Sequence, residues 1–208
     1  MRTLIAIVLA LASLCAPARA LAQQPPAPGA ALVQTEGAVF LNDRAIESSR
    51  ASAALPDTAT VRTNEGRAAI ALKRGGWLFL DARSSVRVLD NGVYNFNRIE
   101  VLTGSAIVAS DTSAPLVVCE SEIRLSDAGM FRFDVHEVNG TAERSCQFRV
   151  FAGAAAVPLV SVTNALRAGQ MMKCDRRCGD MIPTSEFSRD QLDDFDQWAR
   201  RIQERLKK

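Results

Sequence analysis

Cysteine is the residue type in this 208-residue chain whose number and spacing most directly suggest chemistry. Cys119, Cys146, Cys174 and Cys178 lie in its second half, and "CDRRC" brings the last two close together. Four thiolates could hold a tetrahedral zinc ion, with "CDRRC" as one half of the site and Cys119 and Cys146 as the other. The alternative is two disulfides, for which four cysteines allow three pairings. "KCDRRCGDM" reads as a tight turn between two short strands, which would bring Cys174 and Cys178 together and leave Cys119 to pair with Cys146. The compartment decides between zinc and disulfides.

The amino terminus indicates that compartment. In "MRTLIAIVLALASLCAPARALAQQ" one positive charge, Arg2, precedes an apolar run from Leu4 to Ala18, and the small residues Ala20 and Ala22 frame a cut before Gln23. This is the layout of a secretory signal peptide over residues 1–22. The run falls short of the ~20 residues a spanning helix needs. Cys15 does not make it a lipid-attachment signal, because Leu14 stands where a small residue is wanted. The expectation is a periplasmic or extracellular protein with oxidised cysteines and no transmembrane segment in its mature chain. The precursor carries 25 Lys and Arg against 23 Asp and Glu, and the leader removes Arg2 and Arg19, so the mature chain is neutral. Such a balance gives no basic face for nucleic acid.

Other residues with chemical potential have plainer roles. His136, the one histidine, reads as a solvated loop residue beside Glu137, with no nucleophile or partner nearby in sequence. Asp81, Asp90 and Asp127 sit at turns, where Asp bonds its own following backbone. They would form a carboxylate cluster only if neighbouring turns stacked in register. "NGT" at 139–141 matches a glycosylation acceptor and reads as a turn. Trp77 to Leu80 are apolar on both faces, as in a strand buried on both sides. No residue is assigned to catalysis, a cofactor or a metal.

The elements that must position these residues are short strands. "QQPPAPGA" is a flexible leader, placed at residues 23–31. Beyond it the apolar period is two: Ala68, Ile70 and Leu72, then Val86 and Val88, then Tyr94 and Phe96. Further runs ("APLVV", "EIRL", "MFRFDV", "FRV", "LVSV") are punctuated by glycine-bearing turns. The pattern predicts an all-β domain over residues 32–187, solenoid-like or sandwich-like. At residues 188–208 the period changes: Leu192, Phe195, Ala199, Ile202 and Leu206 make one apolar stripe, with "SRDQ" as a capping box. The acids near its start and bases near its end suit the helix dipole. This amphipathic helix is expected to lie on the sheet as a lid; the alternative is a docking helix for a partner.

Self-similarity adds detail. "VLTGSAIV" (Val101 to Val108) recurs 49 residues later as "VFAGAAAV" (Val150 to Val157), with Gly104 and Gly153 at the same point. "VRVLDNGVYNF" (Val86 to Phe96) aligns with "IRLSDAGMFRF" (Ile123 to Phe133) at an offset of 37. The expectation is a strand–turn–strand–Gly–strand unit used twice, each glycine forming a corner.

"TVRTNEGRAAIALKRGGWLFLDARSSVRVL" resembles the core of the FecR domain, and "RIEVLTGSAIV" resembles its following strand. Asn64 replaces a usual glycine, and "RGG" replaces a frequent Asp-Gly turn. "FRFD", "FRVFAGAAAV" and "FDQWARRI" resemble the ends of a secreted subgroup, and the likeness spans roughly Val33 to Ile202. It implies a periplasmic β-domain of the kind that receives a signal from an outer-membrane transducer, here without the cytoplasmic anti-sigma segment or membrane helix. The function expected is that of an exported, non-enzymatic module binding a protein or cell-envelope polymer. The alternative is a cell-envelope polysaccharide hydrolase or lyase, which acids clustered in a groove across neighbouring coils would favour.

Overall fold

The structure, a computed structural model, describes residues 30–46, 53–73, 75–90, 98–111, 114–118, 121–137, 144–158, 163–175 and 184–208. The signal peptide, nearly all of the leader, Tyr94, Phe96 and the "NGT" turn lie outside these residues. In chain order the first strands are β1 (Ala31–Glu36), β2 (Val39–Leu41), β3 (Arg44–Ile46), β4 (Ala53–Ala54), β5 (Thr58–Thr63) and β6 (Arg67–Ala71). Next come β7 (Trp77–Leu80), β8 (Ser85–Leu89), β9 (Arg98–Ser110), β10 (Ala114–Val118), β11 (Ser121–Leu125) and β12 (Gly129–Glu137). The chain continues with β13 (Arg144–Ala152), β14 (Ala154–Pro158), β15 (Thr163–Arg167), β16 (Gln170–Asp175), β17 (Ser185–Glu186) and helix α1 (Asp194–Leu206).

The expected all-β domain with one terminal helix is what the chain forms, and its sheets do not close into a barrel. Sheet A runs β4-β1-β6-β7-β9-β12-β13-β16-β17, and sheet B runs β3-β2-β5-β8-β9-β10-β11-β14-β15. Strand β9 belongs to both: Arg98–Thr103 pairs with β8 in sheet B, and the rest pairs with β7 and β12 in sheet A. Period-two alternation sends one set of side chains between the sheets. Ile70, Leu78, Val86, Val101, Phe131, Phe133 and Val150 are buried there.

Glycine corners carry the chain between sheets. Gly104 (φ +80°) sits where β9 leaves sheet B for sheet A, and Gly153 (φ +84°) where β13 leaves sheet A for β14 in sheet B. A Cβ at Gly104 would lie 2.5 Å from the Ser84 Cα, and one at Gly153 would lie 2.6 Å from the Ala128 carbonyl oxygen. Both φ and space therefore require glycine. The two copies of the phrase run in opposite senses and turn at opposite ends of the sheets. In sheet A, Val135 is opposite Gly104, while Ala152, next to Gly153, is opposite Met130 at the far end of β12. A corner needs only the left-handed φ and the close approach, so the same phrase serves in either direction.

Of the second expected repeat, the first copy is described only as far as Asp90, since residues 91–97 lie outside the described residues. Asp90 ends β8, which pairs with β9 inside sheet B, whereas Asp127 lies at the crossing from β11 in sheet B to β12 in sheet A. Over the described residues, β8 and β11 both lie in sheet B, each followed by a turn aspartate.

Helix α1 begins later than "SRDQ" suggests. Its N-cap is Asp193, and Asp193 with Asp196 forms a reciprocal capping box. Ser188 and Gln191 instead close a turn in which the Gln191 amide donates to the Ser188 carbonyl at 3.3 Å. The stripe is otherwise as expected, with Trp198 added. Phe195, Trp198, Ala199 and Ile202 are buried on the outer face of sheet A against Ala69, Phe79, Ile107, Ala109, Met130 and Phe151. Strand β7 is consequently buried on both sides, by the core and by the helix.

Candidate functional site

The densest charge cluster among the described residues lies under the first turn of α1. Along β12, Phe131, Phe133 and Val135 point into the core, so Arg132 and Asp134 share the opposite face with the helix. Arg132 is 8% exposed and reaches both layers. Its Nε donates to Asp134 Oδ1 at 3.0 Å, and its Nη1 donates to Asp193 Oδ2 at 2.6 Å and Asp196 Oδ1 at 2.9 Å. Asp134 also accepts from the Ser105 hydroxyl at 2.7 Å and from Arg149 Nη2 at 2.8 Å. The Asp193 amide donates to Asp196 Oδ2 at 3.2 Å, and the Asp196 amide donates to Asp193 Oδ1 at 2.9 Å. Every oxygen of these three carboxylates is engaged.

Three carboxylates against two guanidiniums leave one negative charge in excess. Burial works against the charge on Asp134, but Arg132, the Ser105 hydroxyl and Arg149 together hold its carboxyl below the usual range. Asp193 is likewise disfavoured by burial yet held low by the Asp196 amide and by Arg132. Asp196 goes the other way: burial, helped by the neighbouring Asp193, raises it against the pull of Arg132. Burial would lower Arg132, but Asp134, Asp196 and Asp193 outweigh it and keep the guanidinium firmly charged. The excess charge thus falls on Asp196, where it costs most. Aromatic rings close the site: Phe79 meets Trp198 edge-on at 5.9 Å, and Arg67 lies over Trp198 at 5.6 Å. Among the described residues, Arg149 Nε and Trp198 Nε1 are buried without a hydrogen-bond partner.

Chemically this arrangement is a latch. The carboxylates are saturated by donors from the fold itself; Asp134 and Asp196 are buried between helix and sheet, while Asp193, at the helix N-cap, is half exposed. Among the described residues, no three or more of His, Cys, Asp and Glu come together as a metal site.

The residues singled out in the sequence lie elsewhere. His136 is exposed within β12, opposite Ser145, not in a loop. Asp81 pairs with Arg67 at 2.8 Å and Asp90 with Lys73 at 3.0 Å, while Asp127 is exposed. These acids are therefore separate turn residues and do not form a shared cluster. Cys146 in β13 is buried and stands opposite Cys174 of β16, while Cys119 and Cys178 lie outside the described residues. Arg132 and Asp134 were hidden inside "MFRFDV". Their signal was an outward Arg-x-Asp on a strand whose inward residues are all large and apolar. Among the described residues, no helix is long and apolar enough to cross a membrane.

No protein-family model matches the sequence, and no curated protein matches it. Two crystal structures share the fold, both of an inferred anti-sigma factor from Parabacteroides distasonis ATCC 8503. One, at 2.50 Å resolution, superposes with a TM-score of 0.52 and 12% identity, over 64% of this chain and 62% of that one. The other, at 1.65 Å, gives 0.51 and 12%, over 64% and 61%. The matched part is thus less than two thirds of the length of those chains.

Proposed function

We propose that this chain is an exported, non-enzymatic module of the FecR type, which binds a protein or cell-envelope partner in a signalling role. Support comes from its two-sheet fold, shared with chains described as anti-sigma factors, together with sequence motifs that resemble the FecR core. The observation that carries the non-enzymatic part is the state of the carboxylates. The alternative hydrolase needs acids presented in a groove. Here Asp134 and Asp196 are buried and spent on Arg132 and Arg149, and the half-exposed Asp193 is tied to Arg132 and to the helix cap. Export follows from the leader, with cleavage near Ala22 and oxidation of the four remaining cysteines.

Two measurements test this reading. Residues 23–208, immobilised and exposed to envelope extract, should retain a discrete partner in a saturable manner, and soluble competitor should displace it. The same protein incubated with envelope polysaccharides should release no reducing or unsaturated ends. Sustained release of either, lost in Asp134→Asn, would overturn the non-enzymatic assignment. Retention of no partner across the extract would overturn the binding role.

A further inference from the structure

At the Gly104 end of sheet A the ladder sets Val135, Cys146 and Cys174 opposite one another across β12, β13 and β16. Val135 and Cys146 are buried in the core, at 1% and 4% exposure. Cys146 and Cys174 are direct partners in an antiparallel ladder, between Gln147↔Lys173 and Ser145↔Asp175. Such partners have Cα atoms about 4.5–5.5 Å apart. A disulfide takes Cα separations of about 4.4–6.8 Å, so the ladder by itself places these two residues at bonding distance.

We propose that Cys146 and Cys174 form a cross-strand disulfide that clasps β13 to β16 at the rim of the core. This replaces the pairing suggested by "CDRRC", in which proximity in sequence joins Cys174 to Cys178. Proximity in the sheet outranks it, because the strand pairing on either side fixes Cys174 opposite Cys146. The bond forms by exchange with a disulfide donor. The Cys146 and Cys174 thiols and one RSSR molecule give the protein disulfide and two RSH, the donor taking up both electrons and both protons. The clasp has a consequence for the helix. Strand β16 leads through β17 to α1, and β17 is held to β16 by only two residue pairs. Fixing β16 covalently to β13 therefore anchors the segment from which the helix is suspended.

The test does not depend on export or on a partner. The chain from residue 23 is refolded with glutathione and its disulfide, alkylated and digested with trypsin without reduction. Trypsin separates all four thiols, leaving Cys119 in peptide 99–124, Cys146 in 145–149, Cys174 in 174–176 and Cys178 in 178–189. The expected product is 145–149 linked to 174–176. Linkage of 145–149 to either other peptide, or its recovery in alkylated form, would overturn the proposal. A Cys119→Ser, Cys178→Ser variant removes any competition from the other two thiols. It should give the same linked peptide, and two alkylated thiols in that folded variant would overturn the proposal as well.

Discussion

Replacing Arg132 with Met should be among the most damaging single changes available on the outer face of sheet A. The new side chain fills similar space but leaves Asp196, 1% exposed, without its cationic partner. Asp134 fares better, because it keeps Arg149 and the Ser105 hydroxyl. Breaking a buried pair by removing one member costs about 3–5 kcal/mol, since the other charge stays buried and uncompensated. That is a large part of a typical stability margin of about 5–15 kcal/mol. The same logic predicts rescue. Asp196→Asn in the Arg132→Met background removes the stranded charge and should return the protein to within about 2 kcal/mol of wild type. Urea unfolding followed by tryptophan fluorescence suits the measurement, because Trp77 and Trp198 both pack in the helix–sheet interface. Circular dichroism of the sheet would distinguish helix release from global unfolding. The reasoning fails if Arg132→Met costs less than about 1 kcal/mol, the range of an exposed pair. It fails equally if the double variant is no better than the single one.

Removing residues 188–208 takes away Phe195, Trp198 and Ile202, each contributing ~1.5–3 kcal/mol of burial, and bares the apolar strip beneath. Thermal melting and solubility should both fall, and a melting temperature unchanged within a degree or two would reject the lid. Gly104→Ala forces a side chain to φ +80° and into the Ser84 backbone. It should destabilise by at least the ~1–3 kcal/mol of such strain, with Gly153→Ala behaving alike in the same chemical melts. For pH, Asp134 and Asp193 have lowered folded values, so their contribution is present above about pH 4 and is lost as pH falls through those lowered values. Asp196 is raised, so its contribution is present below about pH 4 and is lost as pH rises through its folded value. Melting curves should therefore show a fall in stability over that upper window, which Asp196→Asn abolishes; an identical slope in the variant would refute the assignment. Intact mass of the exported protein should start at Gln23, and a retained Met1 would contradict the leader.

Much of the architecture was legible in the sequence, because it rests on local rules. Period-two alternation from Leu32 onward predicted strands, and the all-apolar run Trp77–Leu80 correctly marked a strand covered on both sides. Gly104 and Gly153 were recognisable as corners, since positive φ is a property of one residue and its neighbours. The stripe from Leu192 to Leu206 predicted the helix and its lid-like seat, although its true cap, Asp193, was obscured by the equally plausible "SRDQ". The remaining features depended on contacts across the chain. Ladder register alone decided that Cys146 stands opposite Cys174, and nothing in the spacing of the cysteines encodes that register. The latch needed residues from β9, β12, β13 and α1 to meet, and in isolation each looks like an ordinary surface charge. Only when the helix excludes water do Arg132 and Asp196 become a costly and mutually dependent pair, because burial, not residue identity, sets the strength of their interaction.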